Sequence, residues 1–356
     1  MKTWSAISVI SLVVLAGLTI AQEPATPVRE YAGSRKCAEC HVDIARAHAA
    51  GDHSQTLRRV EQIPELLEQV PLSFLDREHQ VEYRLERAAG EARRFDLVAT
   101  KGNRSERLHL IWGLGAGRKG ITFVGRDDAG KYGESRVSWY QRIRLLDITT
   151  GAEFSKPNTA HEALAGWLEP KERQECFACH VTRHPEAIPE EIRPENAGVQ
   201  CERCHGPGSK HIEAITGNGA GGAEVIKNPG KLKAAEQLVF CGQCHRQPSE
   251  NLGQVMTDKA TIRFPAQRLV LSRCYDESDG KLKCTTCHDP HQQLPASMAA
   301  YDPKCLSCHT GKAAIGSLCP VSNKDCVSCH MPIEPLMKHS EFVDHWIRKV
   351  RISEPK

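Results

Sequence analysis

The chain has 356 residues, 40% of them hydrophobic, 5% aromatic and 26% charged, with a formal net charge of +3. That length suits two domains, and nothing in so small a net charge suggests a nucleic-acid binder. Aromatic side chains are scarce for a chain that must build a core, whereas cysteine is abundant, at 16 residues.

From the N-terminus, Met1-Lys2 precedes an apolar run from Ala6 to Ile20, with Thr19-Ile20-Ala21 ahead of Gln22. A charged start, a hydrophobic stretch and a small residue at the end read as a secretory signal over residues 1–21. The run is shorter than the ~20 residues that span a bilayer. No transmembrane segment is therefore expected after cleavage, and the mature chain is placed in the periplasm or secreted. Residues 22–53 carry the first Cys-x-x-Cys-His motif and end at His53.

Residues 54–170 contain no cysteine. Leu57, Val60, Ile63, Leu66 and Leu67 recur at helical spacing and predict an amphipathic helix, interrupted at Pro64 and ending near Pro71. Alternating stretches at 79–85, 94–98, 107–112, 120–124 and 135–140 predict strands. The turn signals Lys101-Gly102-Asn103 and Asp127-Asp128-Ala129-Gly130 stand between them, which gives an antiparallel meander. A helix from Thr159 to Trp167 is predicted to close this α+β insert. Residues 171–346 are rich in glycine, proline and short charged stretches, and 347–356 read as a solvated basic tail. The expected fold is mainly α with many loops: a cluster of short helices, each carrying one motif, with an inserted antiparallel β-rich region.

Seven times two cysteines stand three positions apart with a histidine directly after the second: Cys37/Cys40/His41, Cys176/Cys179/His180, Cys201/Cys204/His205, Cys241/Cys244/His245, Cys284/Cys287/His288, Cys305/Cys308/His309 and Cys326/Cys329/His330. In c-type haem attachment the two thiols form thioether bonds to the porphyrin and the adjacent imidazole binds the iron. Structural zinc is the rival reading, but it combines two knuckles per ion, which strands the seventh, and it needs no histidine after the second cysteine. Disulfides within Cys-x-x-Cys are strained and redox-active, poor staples. Seven covalently attached haem c groups are therefore expected. Cys274 and Cys319 remain, and a disulfide between them and a pair of free thiols are both open. The 155 residues from Cys176 to His330 carry six motifs, too few to wrap each haem in its own core. The porphyrins must pack against one another.

Ten histidines lie outside the motifs: His48, His53, His79, His109, His161, His184, His211, His291, His339 and His345. His79 and His109 fall in the predicted sheet, where an ordinary core or surface histidine is the expected reading. His291, in Cys-His-Asp-Pro-His, and His211, in Cys-His-Gly-Pro-Gly-Ser-Lys-His, follow a motif too closely to wrap around its iron. Each should reach a neighbouring haem instead, with Pro290 and Pro207 turning the backbone out of a helix. His53 and His345 complete the favoured four distal ligands, ahead of His339, His184 and His48, then His161. The methionines are few, and Met331, directly after His330, is badly placed to reach the same iron, so bis-histidine ligation and low potentials are expected.

Close-packed low-potential haems make a conduit or small store for electrons exchanged with other redox proteins. An alternative is an oxidoreductase acting on a small nitrogen or sulfur compound at one five-coordinate haem. The insert could then wall a pocket with His109, Arg136, Tyr140 or His161, or equally serve as a docking platform. A structural subunit of a redox complex or filament is a third reading. No catalytic residue is assigned.

Several stretches together resemble a known group. They are Tyr31-Ala32-Gly33-Ser34 before the first motif, Cys201-Glu202-Arg203-Cys204-His205-Gly206-Pro207-Gly208 with His211, Cys287-His288-Asp289-Pro290-His291, Cys329-His330-Met331-Pro332 and Asp344-His345-Trp346-Ile347-Arg348. The pattern is similar to secreted multihaem cytochromes related to tetrahaem cytochrome c five-five-four. The resemblance implies an electron carrier with mixed bis-histidine and five-coordinate haems, and His53, His211, His291 and His345 as distal ligands. Seven motifs exceed four, and the long insert has no counterpart in the small tetrahaem protein. The related octahaem hydroxylamine oxidoreductase uses a tyrosine crosslink that cannot be placed here, so its activity is not carried over.

Overall fold

A computed structural model describes residues 30–183, 192–217, 221–309 and 317–350. The expected signal, His184 and residues 351–356 of the tail lie outside the described residues.

Nine strands form one antiparallel sheet: β1 (Leu57–Arg59), β2 (Leu72–Asp76), β3 (Val81–Arg87), β4 (Phe95–Lys101), β5 (Arg104–Leu114), β6 (Gly120–Arg126), β7 (Tyr132–Tyr140), β8 (Leu145–Ile148) and β9 (Ala165–Trp167). The order β2-β3-β4-β5-β6-β7-β8 is a simple meander, with β1 added to β5 and β9 to β7. Its two ends, β2 and β8, come back into contact, so the sheet is nearly closed. Alternation drives the closure: along β3, Val81, Tyr83 and Leu85 are fully buried while Glu82 and Arg84 face solvent, as a strand with one dry face requires. Gly102 takes φ +63° in the turn where Lys101 pairs with Arg104, a conformation costly for a residue with a Cβ.

The expectation of a mainly α chain is corrected here. The main buried cluster runs from Val60 to Ala165 and belongs almost wholly to the sheet, whereas the cluster among the later helices contains only Leu238, Ala266 and Leu269 as buried members. The described helices bearing motifs span at most 12 residues, in Ala234–His245, too short to pack into a layer without another support. Strand pairing therefore supplies the dominant body. The helix expected from Leu57 onward is also revised. Leu57–Arg59 pairs with β5 through Leu57 opposite Leu114, followed by a 3-10 turn at Val60–Gln62 and a one-turn helix at Pro64–Leu67. Leu57, Val60, Ile63 and Leu66 are still all buried, so the apolar spacing located the buried side but not the backbone form. Between Thr159 and Trp167, helix occupies only Ala160–Leu164, and Ala165–Trp167 pairs with β7.

A β-bulge between Leu110 and Trp112 changes the face that β5 presents. Trp112 thereby leaves the barrel core for a second cluster with Phe177 and Val181. Phe177 lies between Cys176 and Cys179, so this cluster seats the second motif on the barrel wall. The helix Pro170–His180 starts at a proline, with Glu169 and Glu172 forming a capping box. Among the described residues no helix is long and apolar enough to cross a membrane.

Trp139 is fully buried in the main cluster. Replacement by alanine should lower stability by about 3–5 kcal/mol in denaturant unfolding followed by far-UV circular dichroism. Leu145→Ala, at a half-exposed position, should change it by less than about 0.5 kcal/mol. Equal effects would refute the barrel as the stability-determining body.

Candidate haem-binding sites

Five of the seven motifs have both cysteines within one short helix, whereas only the first cysteine lies in a helix for the first motif (Ser34–Ala38) and the sixth (Asp302–Leu306). Positions i and i+3 of a helical turn lie on one side, which presents both thiols together. No two of the 16 cysteines are joined in a disulfide; Cys274 is half-buried and Cys319 exposed.

With so little apolar core, polar side chains set where the motifs stand. Glu202, between the cysteines of the third motif, is buried and accepts hydrogen bonds from the backbone N–H groups of Ala32 (2.7 Å), Gly33 (2.8 Å) and Gly208 (2.8 Å). This fixes the segment before the first motif against the third. Arg203 donates to the Ala178 carbonyl (2.8 Å), joining the third motif to the second. The fully buried Gln237 accepts from the Thr285 N–H (3.0 Å) and joins the fourth to the fifth. Asp302 accepts from the N–H groups of Asp325 (2.8 Å) and Cys326 (2.9 Å) and joins the sixth to the seventh. Thiol contacts of Cys37 with Cys201, Cys241 with Cys284 and Cys305 with Cys326 follow the same adjacencies, and Cys179 with Cys244 adds one between the second motif and the fourth.

The histidines show the most specific arrangement. Ring centroids lie 6.4 Å apart for His41 and His211, 6.1 Å for His53 and His245, 6.0 Å for His205 and His291, and 6.2 Å for His288 and His345. A metal-bound imidazole nitrogen sits ~2 Å from the metal and the ring centre roughly 1 Å further, so two rings binding one iron from opposite sides stand ~6 Å apart. In each pair one member belongs to a motif and the other does not. These pairs fit an iron held between them.

Ring tautomers fit as well. Nδ1 meets a backbone carbonyl in His53 (Pro290, 3.2 Å), His205 (Lys227, 2.8 Å), His211 (Gly222, 2.6 Å) and His345 (Val343, 3.0 Å). The same holds for His180 (Thr56, 2.9 Å), His309 (Ser317, 3.0 Å) and His330 (Arg348, 3.0 Å). In His291, Nδ1 faces Asp289 Oδ1 at 3.0 Å. A proton donated from Nδ1 leaves the Nε2 lone pair for a metal and fixes the ring. Burial, aided by neighbouring histidines, pushes His345 down to about 4 and lowers His245 and His288, and burial also lowers His180. These rings stay neutral, and able to bind, at neutral pH.

Among the described residues no second histidine ring faces His180, His309 or His330. His48 is buried and stands 6.4 Å from His291, edge to face. The remaining candidates serve elsewhere. His79 pairs with Asp76 (2.9 Å), His109 bridges Asp96 and Asp128 (both 2.8 Å), His161 stacks on Trp167, and His339 bonds Asp147 (2.6 Å) beside Tyr140. Arg136 is buried against Asp76 and Ser155, and the Tyr140 hydroxyl donates to the Ile148 carbonyl (2.8 Å). The residues offered for a pocket in the insert are thus engaged in separate local pairs.

His345 has a distinct anchor. The fully buried Asp344 accepts from Arg268 Nε (2.8 Å) and Nη2 (2.6 Å) and from Arg348 Nη1 (2.7 Å). Ser272 Oγ donates to the His345 carbonyl (3.2 Å) and accepts from the Ile347 N–H (2.8 Å). Burial alone would raise the Asp344 carboxyl, but the bonds from Arg268, the Trp346 N–H and Arg348 outweigh it and hold it below the usual range.

Residues 138–206, which include the second and third motifs, match the family described as cytochrome c554 and c-prime. No curated protein sequence matches the chain. Among solved structures it is similar to outer cell wall cytochrome OcwA, at 18% identity over 89% of this chain and 79% of that one, TM-score 0.48. It is also similar to Wolinella succinogenes octahaem sulfite reductase MccA, at 16% identity over 93% of this chain and 60% of that one, TM-score 0.47. The family match spans two of the seven Cys-x-x-Cys-His motifs and agrees with reading those two as haem-attachment sites.

Asp344→Asn should cost about 3–5 kcal/mol, because it leaves Arg268 buried without its counter-charge. A carboxylate held below its unfolded pKa of ~3.9 adds stability that is present above that pH and lost as pH falls through the folded value. The wild-type advantage over D344N in thermal melts should therefore shrink on acidification below about pH 4. A difference independent of pH would count against the ion pair.

Proposed function

We propose that the mature protein is a periplasmic or secreted heptahaem cytochrome that carries electrons along closely packed, mostly bis-histidine haems. The observation that carries this reading is the four imidazole pairs at 6.0–6.4 Å. Cys37, Cys40, Cys176, Cys179, Cys201, Cys204, Cys241, Cys244, Cys284, Cys287, Cys305, Cys308, Cys326 and Cys329 would hold the porphyrins as thioethers. His41, His180, His205, His245, His288, His309 and His330 would bind the irons on the proximal side, with His211 opposite His41, His291 opposite His205, His53 opposite His245 and His345 opposite His288. Bound haem supplies a one-electron couple, and two imidazole ligands keep its potential low.

Each distal ligand in this assignment comes from another motif's neighbourhood. His211 follows the third motif and serves the first, His291 follows the fifth and serves the third, and His53 follows the first and serves the fourth. Neighbouring haems are thereby laced together by chain segments as well as by thiol contacts. Contiguity of this kind supports a conduit more than a set of isolated centres.

A second reading is redox chemistry on a small nitrogen or sulfur compound, favoured by one observation: the half-buried His180 ring, anchored on Thr56, faces no other described histidine. Carbon monoxide separates the readings. Seven haems by pyridine haemochrome assay, at least four low-spin bis-histidine signals in low-temperature EPR and no spectral change of the reduced protein under carbon monoxide would support the conduit. His211→Ala should convert one low-spin signal to high-spin and leave the haem count unchanged. Fewer than four low-spin irons in the wild type would sink the ligand assignment.

A further inference from the structure

The barrel's β5–β6 loop, residues 115–119, touches the supports of four separate histidines. Arg118 Nε donates to Asp52 Oδ1 at 2.6 Å, and Arg118 Nη2 donates to the Leu294 carbonyl at 3.0 Å. Asp52 directly precedes His53, and Leu294 lies three residues beyond His291. The two segments are also bound to each other: the Leu294 N–H donates to Asp52 Oδ2 (3.3 Å), Gln293 to the Ala50 carbonyl (2.7 Å), and His53 Nδ1 meets the carbonyl of Pro290 (3.2 Å). Next in sequence, Lys119 Nζ donates to the Glu341 carbonyl (2.6 Å) in the hairpin of β10 (Ile333–Met337) and β11 (Ser340–Val343). That hairpin leads straight into Asp344 and His345. Finally, the Gly115 N–H donates to the Thr56 carbonyl (2.8 Å), the oxygen that also faces His180 Nδ1.

The loop is bonded to the barrel at both ends, by the Gly115 N–H to the Thr56 carbonyl (2.8 Å) and by the Gln141 N–H to the Lys119 carbonyl (3.1 Å). Gly115 and Gly117 take φ of +111° and +83°, and a Cβ on Gly117 would stand 2.7 Å from Glu65 Oε1. Glu65 is itself bound to Arg58 at 2.6 Å. Substitution at either glycine is strained, and the loop is clamped onto the body that carries the main apolar core.

We propose that this loop is the positioning element that ties ligand geometry to the barrel, and that Arg118 is the positioning residue for His53 and His291 together. The inference rests on the reading of those two histidines as distal ligands of the irons bound by His245 and His205. One guanidinium holds both segments because its fork supplies two donors in a fixed geometry. Removing it frees the Asp52 carboxylate and the Leu294 carbonyl at once, so the two ligands loosen as a unit.

The test is the oxidised full-length holoprotein with Arg118→Ala, compared with wild type by haemochrome assay and low-temperature EPR. Two low-spin irons per chain should become high-spin while the haem count is unchanged, and the reduced variant should bind two equivalents of carbon monoxide more than wild type. Arg118→Lys, which keeps one ammonium for Asp52 but cannot serve both acceptors, should give an intermediate high-spin intensity even where the alanine variant accumulates poorly. A general loss of stability would lower the melting temperature without moving spin state. Variants with wild-type EPR in a protein that does show low-spin bis-histidine irons would overturn the role of Arg118 alone. A wild type without such irons would overturn the ligand assignment and this inference with it.

Discussion

The constraint on which the rest of the molecule depends is the fixing of imidazole rings by their Nδ1 atoms. An unanchored histidine turns about two side-chain bonds, and a ring free to turn offers Nε2 in the required direction only part of the time. Here the acceptor is most often a backbone carbonyl, from Thr56, Gly222, Lys227, Pro290, Ser317, Val343 or Arg348. Carbonyls have fixed positions only where the backbone is itself held. The orientation of these rings is therefore inherited from the backbone around them.

The segments bearing the motifs have little apolar packing of their own. The helical cluster has only Leu238, Ala266 and Leu269 as buried members, and neighbouring motifs are joined instead by Glu202, Arg203, Gln237 and Asp302, each bonded to backbone of the adjoining motif. Hydrogen bonds are directional and van der Waals contacts are not, so polar joints suit a region in which each ring must face another at a set distance. Covalently attached porphyrins, flat and apolar, would supply the burial that side chains here do not, in keeping with the 5% aromatic content.

The chemistry was more legible in the sequence than the architecture. A Cys-x-x-Cys-His motif is a local pattern and needs no tertiary information. His211 and His291 stood out because a short segment after a motif cannot wrap around its own haem, and both rings do stand opposite motif rings that precede or follow them in other segments. Their carbonyl partners carry no side-chain signal and could not be read. Glu202 could have been, as a carboxylate set between two cysteines. The fold class was misjudged because motifs were counted and strand residues were not: Leu72–Asp76 and Leu145–Ile148, which bring the two ends of the meander together, escaped notice. Leu57 to Leu67 misled because spacing that suits a helix also suits a strand, a 3-10 turn and a short helix folded over one apolar surface.

The Arg268–Asp344–Arg348 group indicates what such positioning costs. Taking a carboxylate and a guanidinium out of water is expensive, and an apolar replacement of equal volume is often as stable or more so. An apolar contact, however, would not fix rotation about the backbone that bears His345. Two guanidinium groups on one carboxylate do fix it, because their donors converge on oxygens whose directions are set by the carboxyl plane. Trp346 covers both cations from the other side, with Arg268 at 5.2 Å and Arg348 at 4.4 Å from its ring. Ligands that do not shift between oxidation states keep the reorganisation accompanying electron exchange small. Buried charge at Asp344 and buried neutrality at His345 are in that sense two parts of one arrangement, in which stability is given up locally so that one nitrogen stays in place.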